Sequence, residues 1–162
     1  SSAASDVYKR QALGMATVAS AQEKAVELEP RVGINLIAPY ESGENCMFGY
    51  NIGTMVSIPL TEHFYLQPGI SFLSCHRQSS NNVSLLHIPV YASYRLPVKE
   101  VTWRFNLGPY AQLGNDYDFG ISAEIGLEYN RWFGGIHAYQ TVIPDEMSGI
   151  FGLSFGYKFQ IR

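Results

Sequence analysis

The chain has 162 residues, a length that suits one domain, and only 15% of them are charged. The net charge is −3, and no cluster of Lys or Arg gives support for nucleic-acid binding. After the N-terminal leader, no apolar stretch approaches the ~20 residues of a membrane helix. Aromatic residues make up 14% of the chain and glycines number 15, a composition compatible with many short apolar strands.

The N-terminal segment does not have the pattern of the rest. Residues 1–21 are interpreted as non-native sequence or the remnant of a signal peptide, because Ala19-Ser20-Ala21 has the form of a secretory cleavage site. A disordered or helical tail is the alternative. The mature chain would then begin at Gln22, with a short tail over 22–30 and a barrel domain over 31–162.

Apolar and polar residues alternate with a period of two throughout the chain after Pro30, which predicts strands. Eight are expected, at about 31–38, 46–60, 64–75, 84–96, 102–114, 118–129, 132–142 and 149–161. In the sixth, Phe119, Ile121, Ala123, Ile125, Leu127 and Tyr129 alternate with Gly120, Ser122, Glu124, Gly126, Glu128 and Asn130. Each strand therefore has one apolar and one polar face. The parity of the seventh strand stays open.

The positions of the glycines distinguish the two faces of the strands. Ten of them share the polar parity: Gly33, Gly49, Gly53, Gly69, Gly108, Gly114, Gly120, Gly126, Gly152 and Gly156. Small residues let a sheet curl toward their side, so the polar face is expected to be concave and the apolar face convex. A convex apolar face without charges suits lipid, whereas a soluble ligand-binding barrel has the reverse arrangement. The sequence predicts an all-β, eight-stranded, antiparallel, up-and-down transmembrane β-barrel.

The connections alternate in character along the chain. Residues 61–63, 97–101 and 130–131 are expected to form short periplasmic turns, and 39–45, 76–83, 115–117 and 143–148 the outer loops. Both termini are then periplasmic. Outward aromatics should form two belts at the membrane interfaces, Phe64, Tyr94, Trp103, Tyr129, Trp132 and Phe159 near the turns and Phe48, Tyr50, Phe72, Phe119 and Phe151 near the loops.

Inward charges gather near the predicted turns and suggest a charge network in the lumen. Its members are Arg31, Arg95, Arg104, Glu124, Glu128 and Lys158. A hairpin turn near Asp116 sets Arg104 opposite Glu128, and a turn near Lys99 brings Arg95 beside Arg104. The network is interpreted as a structural plug, because side chains fill the interior of an eight-stranded barrel. An ion gate is the alternative. No large diffusion pore is expected.

The histidines and cysteines are weighed for chemistry. His87 has inward parity near Ser84 and Tyr91, His63 lies in a turn, His76 in a loop and His137 on the ambiguous strand. None has the spacing of a catalytic or metal site, so no catalytic residue, metal or cofactor is predicted. Cys46 and Cys75 lie at the outer ends of neighbouring strands. They are three residues out of register and differ in parity, so a disulfide would require bent strand ends.

Three prolines, Pro68, Pro89 and Pro109, lie inside predicted strands. Proline cannot donate to the strand ladder, so local bulges are expected at these positions.

An ordered series of short motifs resembles the outer-membrane β-barrel domain family of PorT-like proteins from about residue 30 to the end. The motifs are Gly33-Ile34-Asn35, Ser57-Ile58-Pro59-Leu60, Leu66-Gln67-Pro68-Gly69, His87-Ile88-Pro89-Val90, Leu107-Gly108-Pro109-Tyr110 and Phe155-Gly156-Tyr157-Lys158-Phe159. The resemblance implies export and an outer-membrane location in a Gram-negative bacterium, with no catalytic residue to transfer. One departure is the C-terminal Gln160-Ile161-Arg162, where such barrels often end on an aromatic residue.

The expected role is non-enzymatic: structural, adhesive or a narrow channel. The expected partners are outer-membrane lipid and the barrel-insertion machinery. A lipid-modifying barrel enzyme and a soluble ligand-binding barrel remain the alternatives.

Overall fold

The computed structural model describes residues 25–38, 47–76, 82–114, 117–142 and 149–161. Within these ranges no helix is long and apolar enough to cross a membrane. The strands are β1 (Val26–Ala38), β2 (Met47–Pro59), β3 (Phe64–His76), β4 (Asn82–Val98), β5 (Val101–Leu113), β6 (Tyr117–Tyr129), β7 (Trp132–Thr141), β8 (Gly149–Tyr157) and β9 (Phe159–Ile161).

The strands form one closed sheet. Each strand from β1 to β7 pairs antiparallel with the next, and β1 also pairs with β8 and β9, so the first and last strands meet. β8 and β9 occupy one place in the barrel, because both pair with β1 in a single register. The predicted eight-stranded antiparallel barrel is confirmed.

Two of the short turns need an unusual backbone. Lys99 and Asn130 have φ values of 57° and 55°, and each begins a two-residue connection, between β4 and β5 and between β6 and β7. Positive φ in a two-residue hairpin turn matches the right-handed twist of the flanking strands. These turns therefore join strands tightly at one end of the barrel, which we call the turn end. The other end is the loop end.

Side chains alternate strictly between lumen and exterior. In β6 every second residue from Gly120 to Glu128 is buried, and the residues between them are exposed. The same alternation fixes the parity of β7, where Phe133, His137 and Tyr139 are buried and point inward. On the outward positions of the described strands there is no Asp, Glu, Lys or Arg.

Inward glycines lie where the curved wall leaves no room for a side chain. A Cβ on Gly108 would overlap the carbonyl oxygen of Val90, and one on Gly33 would overlap that of Leu153. These are backbone atoms of the neighbouring strands, which cannot move aside as a flexible side chain can. The sequence pattern of glycines on the polar face thus marks the tight inner curvature of a narrow barrel.

The prolines interrupt hydrogen-bonded pairing without producing the predicted bulges. Pro68, Pro89 and Pro109 each pair with the following strand, while pairing with the preceding strand has a two-residue gap beside them. The register is identical on both sides of each gap, so no residue is inserted. The expectation of bulges was wrong because a strand exposes its N–H to only one neighbour at each position, and proline removes that single bond. Pro30 likewise faces the break between β8 and β9.

Several predicted boundaries shift. β1 begins at Val26, so residues 26–30 are strand and not part of an N-terminal tail. β4 extends two residues at each end, and His76 belongs to β3 instead of a loop. Cys46 and the side chain of Cys75 lie outside the described residues, so the possible disulfide stays a prediction.

Candidate functional site in the barrel interior

Charged side chains fill the lumen at the turn end. Four carboxylates face four cations, so this network carries no net formal charge; its members are Glu27, Glu29, Glu124, Glu128, Arg31, Arg95, Arg104 and Lys158. Most are almost fully buried, and Arg104 and Glu29 are each 0% exposed. Buried charges are stable only when each has partners of opposite sign, and this arrangement supplies them.

Glu29 and Arg104 form the centre of the network. The Arg104 guanidinium donates from Nη1 to Glu29 Oε2 at 2.8 Å and from Nη2 to Glu29 Oε1 at 2.9 Å. Arg31 Nε donates to the same carboxylate at 2.5 Å. A two-pronged arginine–carboxylate pair fixes both distance and orientation, so this contact defines the geometry of the plug.

Glu128 links three cations. Its Oε1 accepts from Arg104 Nη1 at 2.7 Å and lies 3.5 Å from Arg95 Nε, and its Oε2 accepts from Lys158 Nζ at 2.6 Å. The predicted backbone register is wrong by two residues, because the pairing of β5 with β6 is centred on position 115 and not on position 116. Arg104 pairs with Gly126, Glu128 pairs with Thr102, and the two charges meet diagonally.

The remaining charges extend the network to both sides. Arg31 Nη1 donates to both oxygens of Glu124, at 3.0 and 2.8 Å, and Asn106 donates to Glu124 at 2.6 Å. Arg95 is the direct cross-strand neighbour of Arg104 and donates to Glu27 Oε2 at 2.7 Å. Two arginines can therefore stand side by side because each has its own carboxylate.

Two aromatic rings complete the plug. The guanidinium carbons of Arg104 and Arg31 lie 3.5 and 4.5 Å from the ring centroid of Phe133, and that of Arg95 lies 3.9 Å from the Tyr65 ring. Such stacking is favourable, most of all where water is excluded. Phe133 was missed by sequence reasoning because the parity of the seventh strand was undetermined.

Glu27 and Glu29 were also missed. The predicted first strand began at residue 31, so the two acids fell in a supposed tail. They share the inward parity of Arg31, and continuing the period-two pattern backward through Pro30 would have found them.

Apolar and aromatic side chains pack in the lumen nearer the loop end. Leu73, Tyr110, Tyr139 and Ile150 form a buried cluster against which Leu85 packs. The His87 ring lies within this region, with its centroid 4.3 Å from that of Tyr139 and 4.7 Å from that of Tyr110. His87 is therefore a packed interior residue between two tyrosines.

A hydrogen-bonded array of Ser154, His137 and Asn35 crosses three strands. His137 Nδ1 lies 2.8 Å from Ser154 Oγ, and its Nε2 lies 2.8 Å from Asn35 Oδ1, which also accepts from Asn51 at 2.8 Å. The order of a hydroxyl, an imidazole and an orienting amide is that of a nucleophile with its base. Sequence spacing could not reveal it, since the residues are far apart in the chain.

Only a small void is found next to Ser154 in the part of the chain that the structure describes. This void, between Arg31, Tyr91 and Tyr139, has a volume of about 20 Å³ and has room for about one water molecule. A larger funnel of about 280 Å³ lies at the turn end, beside Glu27, Arg95 and Lys158. Among the described residues no three His, Cys, Asp or Glu side chains are grouped so as to hold a metal ion.

The aromatic residues predicted to form belts all occupy outward positions. Near the turns, Trp132 is 62% exposed and Tyr94 is half-buried, its ring centroid 5.0 Å from that of Phe64. Near the loops, Phe119 and Phe48 are 59% and 58% exposed.

Comparison with solved structures places this geometry among known barrels. No protein-family model and no curated protein matches the chain. Neisserial surface protein A matches with a TM-score of 0.58 and 11% identity, covering 83% of this chain and 97% of that one. Ail, the attachment invasion locus protein of Yersinia pestis, matches with a TM-score of 0.51 and 13% identity, covering 84% and 99%.

The outer membrane protein OprG from Pseudomonas aeruginosa also matches, with a TM-score of 0.51 and 8% identity over 85% of this chain and 97% of that one. Identities this low show shared fold alone. The chain has the fold of the small eight-stranded transmembrane β-barrels of outer membranes.

Proposed function

We propose that this chain is an integral outer-membrane protein whose closed barrel is a membrane anchor and whose longer connections carry any specific binding. The observation that carries the proposal is the division of the wall into a charge-free apolar exterior and a charge-neutralised interior. It is a non-enzymatic role, in which the lumen stabilises the barrel and the loop end meets the partner. Membership of the PorT-like group is part of this proposal.

The exterior supports a lipid environment. Mid-strand side chains such as Leu107, Ile121 and Phe155 are 55–60% exposed. A continuous apolar surface of this kind would aggregate in water, so the soluble ligand-binding alternative is disfavoured. A strand of 13 residues at ~3.3 Å per residue is ~43 Å long, and at a tilt near 45° it spans ~30 Å, enough for the hydrocarbon core.

The interior argues against transport. A general diffusion channel needs an open lumen, whereas an eight-stranded wall here encloses paired charges and an apolar cluster. The ion-gate alternative would need a charge free to select an ion. The described arginines Arg31, Arg95 and Arg104 are instead each bound to carboxylates.

A lipid-modifying enzyme would need a hydroxyl and a base that lipid can reach, but the hydroxyl and the base found here face the lumen. Ser154 and His137 are on inward positions and are 4% and 1% exposed. A membrane lipid reaches the outward face of the wall, so its ester would be separated from Ser154 by the backbone of β8. The array is therefore assigned to interior packing.

The connections support an orientation. Three of the four connections at the loop end, 39–46, 77–81 and 142–148, are longer than any connection at the turn end, and the fourth is 114–116. The turn-end connections are 60–63, 99–100 and 130–131. Outer-membrane barrels have short periplasmic turns and longer extracellular loops, so the loop end would face outward and both termini the periplasm. The name of Ail describes attachment and invasion, which makes surface attachment the first role to test.

Accessibility on intact cells tests the proposal. A short epitope inserted between Asp145 and Glu146 should bind antibody on intact cells, whereas the same epitope between Lys99 and Glu100 should bind only after permeabilisation. The matched insertions control for expression. If only the Lys99 insertion is labelled on intact cells, the orientation is the reverse of the one proposed. If neither insertion is labelled in permeabilised cells and the folded protein is recovered in the soluble fraction, the proposed membrane location is wrong.

A further inference from the structure

A trough of about 410 Å³ lies in the apolar outer surface over β7. Its walls are apolar side chains from four neighbouring strands and its floor is Gly134; the main contributors are Trp103, Leu127, Gly134, Ile136, Leu153 and Phe155. A smaller groove of about 230 Å³ shares Ile136 and Leu153 and continues toward the loop end. We call the larger one the Gly134 trough.

Gly134 differs from the inward glycines in what surrounds it. A Cβ there would meet only ring carbons of Phe155, at 3.6 and 3.7 Å, which is ordinary contact. The fold therefore has no steric need for glycine at this position. Glycine inside a strand weakens it, and it often marks a place where a ligand approaches the backbone closely. An outward glycine that the wall does not require points to an occupant of the trough.

We propose that the Gly134 trough binds one acyl chain of a phospholipid. The inference rests on the proposed membrane location and names a ligand for one part of the wall. The described lining carries no charged side chain, so it offers nothing to a polar headgroup and suits a hydrocarbon chain. An acyl chain that fills this concave apolar surface makes van der Waals contacts that the surrounding bulk lipid would leave unmade.

The position of the trough selects the source of the chain. Gly134 is the third residue after the Asn130–Arg131 turn, and Trp103 lies near the Lys99–Glu100 turn. In the proposed orientation this is the periplasmic half of the wall, where the leaflet is phospholipid and aromatic residues lie at headgroup level. A second copy of the chain is disfavoured, because a two-fold contact would set one concave trough against another.

Native mass spectrometry of the folded protein in detergent, titrated with dipalmitoyl phosphatidylglycerol, tests the inference. The variants are Gly134→Leu, which fills the trough, Gly134→Ala, which fills it less, and Ala92→Leu, a matched control on an outward position of β4. Wild type and Ala92→Leu should retain one lipid, and Gly134→Leu should bind it at least roughly tenfold more weakly. Gly134→Ala should be intermediate.

A second readout follows the ligand at the site itself. In a Trp132→Phe background, Trp103 is the remaining tryptophan. Phospholipid with brominated chains should quench its fluorescence at a lower lipid content when Gly134 is present than in the Gly134→Leu variant. If wild type and Gly134→Leu both insert into vesicles and show equal lipid retention and equal quenching, the lipid site in the trough is wrong and the proposed membrane location is unaffected. A dimer lost in Gly134→Leu with unchanged lipid retention would assign the trough to a second copy. Failure of wild type to insert would overturn the proposed function and this inference with it.

Discussion

Removal of Glu29 is expected to destabilise the barrel strongly. The Glu29 carboxylate accepts two hydrogen bonds from Arg104 and one from Arg31, and all three residues are buried. Without it, three carboxylates face four cations in a confined space. Breaking a buried ion pair by deleting one partner costs about 3–5 kcal/mol, so Glu29→Met should lower the free energy of unfolding by that amount.

Two further variants measure the coupling energy between Glu29 and Arg104. Arg104→Met should cost a similar amount, because Glu29 loses two of its three hydrogen bonds and Glu128 loses one of its two. The double variant should cost less than the sum of the two, by about 2–3 kcal/mol, since neither charge is left without its partner. Glu100→Gln, an exposed change in the β4–β5 turn, should stay within about 0.5 kcal/mol of wild type and is the matched control.

The measurement is reversible urea unfolding in phospholipid vesicles, followed by tryptophan fluorescence and by the mobility of unheated protein on gels. The slope of free energy against urea should be unchanged among variants, so that midpoints report stability. If the Glu29 and Arg104 effects simply add, the two residues are not energetically coupled and the account of the plug is wrong.

Three other outcomes follow from the same structure. Gly108→Ala should fold poorly or unfold at lower urea, because its Cβ would overlap the Val90 carbonyl oxygen, whereas Gly134→Ala should fold normally; comparing the two in one assay checks the distinction. Leu107→Arg, at the centre of β5 and 60% exposed, should cost about 2–4 kcal/mol in a bilayer, and a cost near zero would contradict a lipid-facing position. Planar-bilayer recordings of wild type should show no steady conductance of the porin type, and a large stable conductance would contradict the interpretation of the charge network as a plug.

Much of the architecture could be predicted from the sequence because lipid and lumen impose opposite demands on alternate residues. Glycines such as Gly120 and Gly126 share the parity of Glu124, so curvature and polarity identified the same inner face. The period of two is a local property of the chain, and each strand could be assigned independently.

The contacts in the barrel interior were harder to predict from the sequence, for physical reasons that differ from case to case. Pro30 stopped the first predicted strand because proline usually ends a ladder, and the acids Glu27 and Glu29 were lost with it. Two adjacent glycines, Gly134 and Gly135, hid the parity of β7 and with it Phe133. Backbone register depends on the turn between strands, which the sequence near Asp116 located only to within one residue, and that error moved Glu128 by two positions.

The most direct test of the central claim is an accessibility scan along β6 in vesicles. Single cysteines at outward Ile121, Ala123 and Ile125 and at inward Ser122, in a background with Cys46→Ser and Cys75→Ser, would carry nitroxide labels. Relaxation by oxygen, which concentrates in lipid, and by a water-soluble nickel complex would then be compared. We expect high oxygen and low nickel accessibility at the three outward positions and low values of both at Ser122. High nickel accessibility at the outward positions, or oxygen accessibility with the opposite parity, would contradict a barrel with its apolar face in lipid.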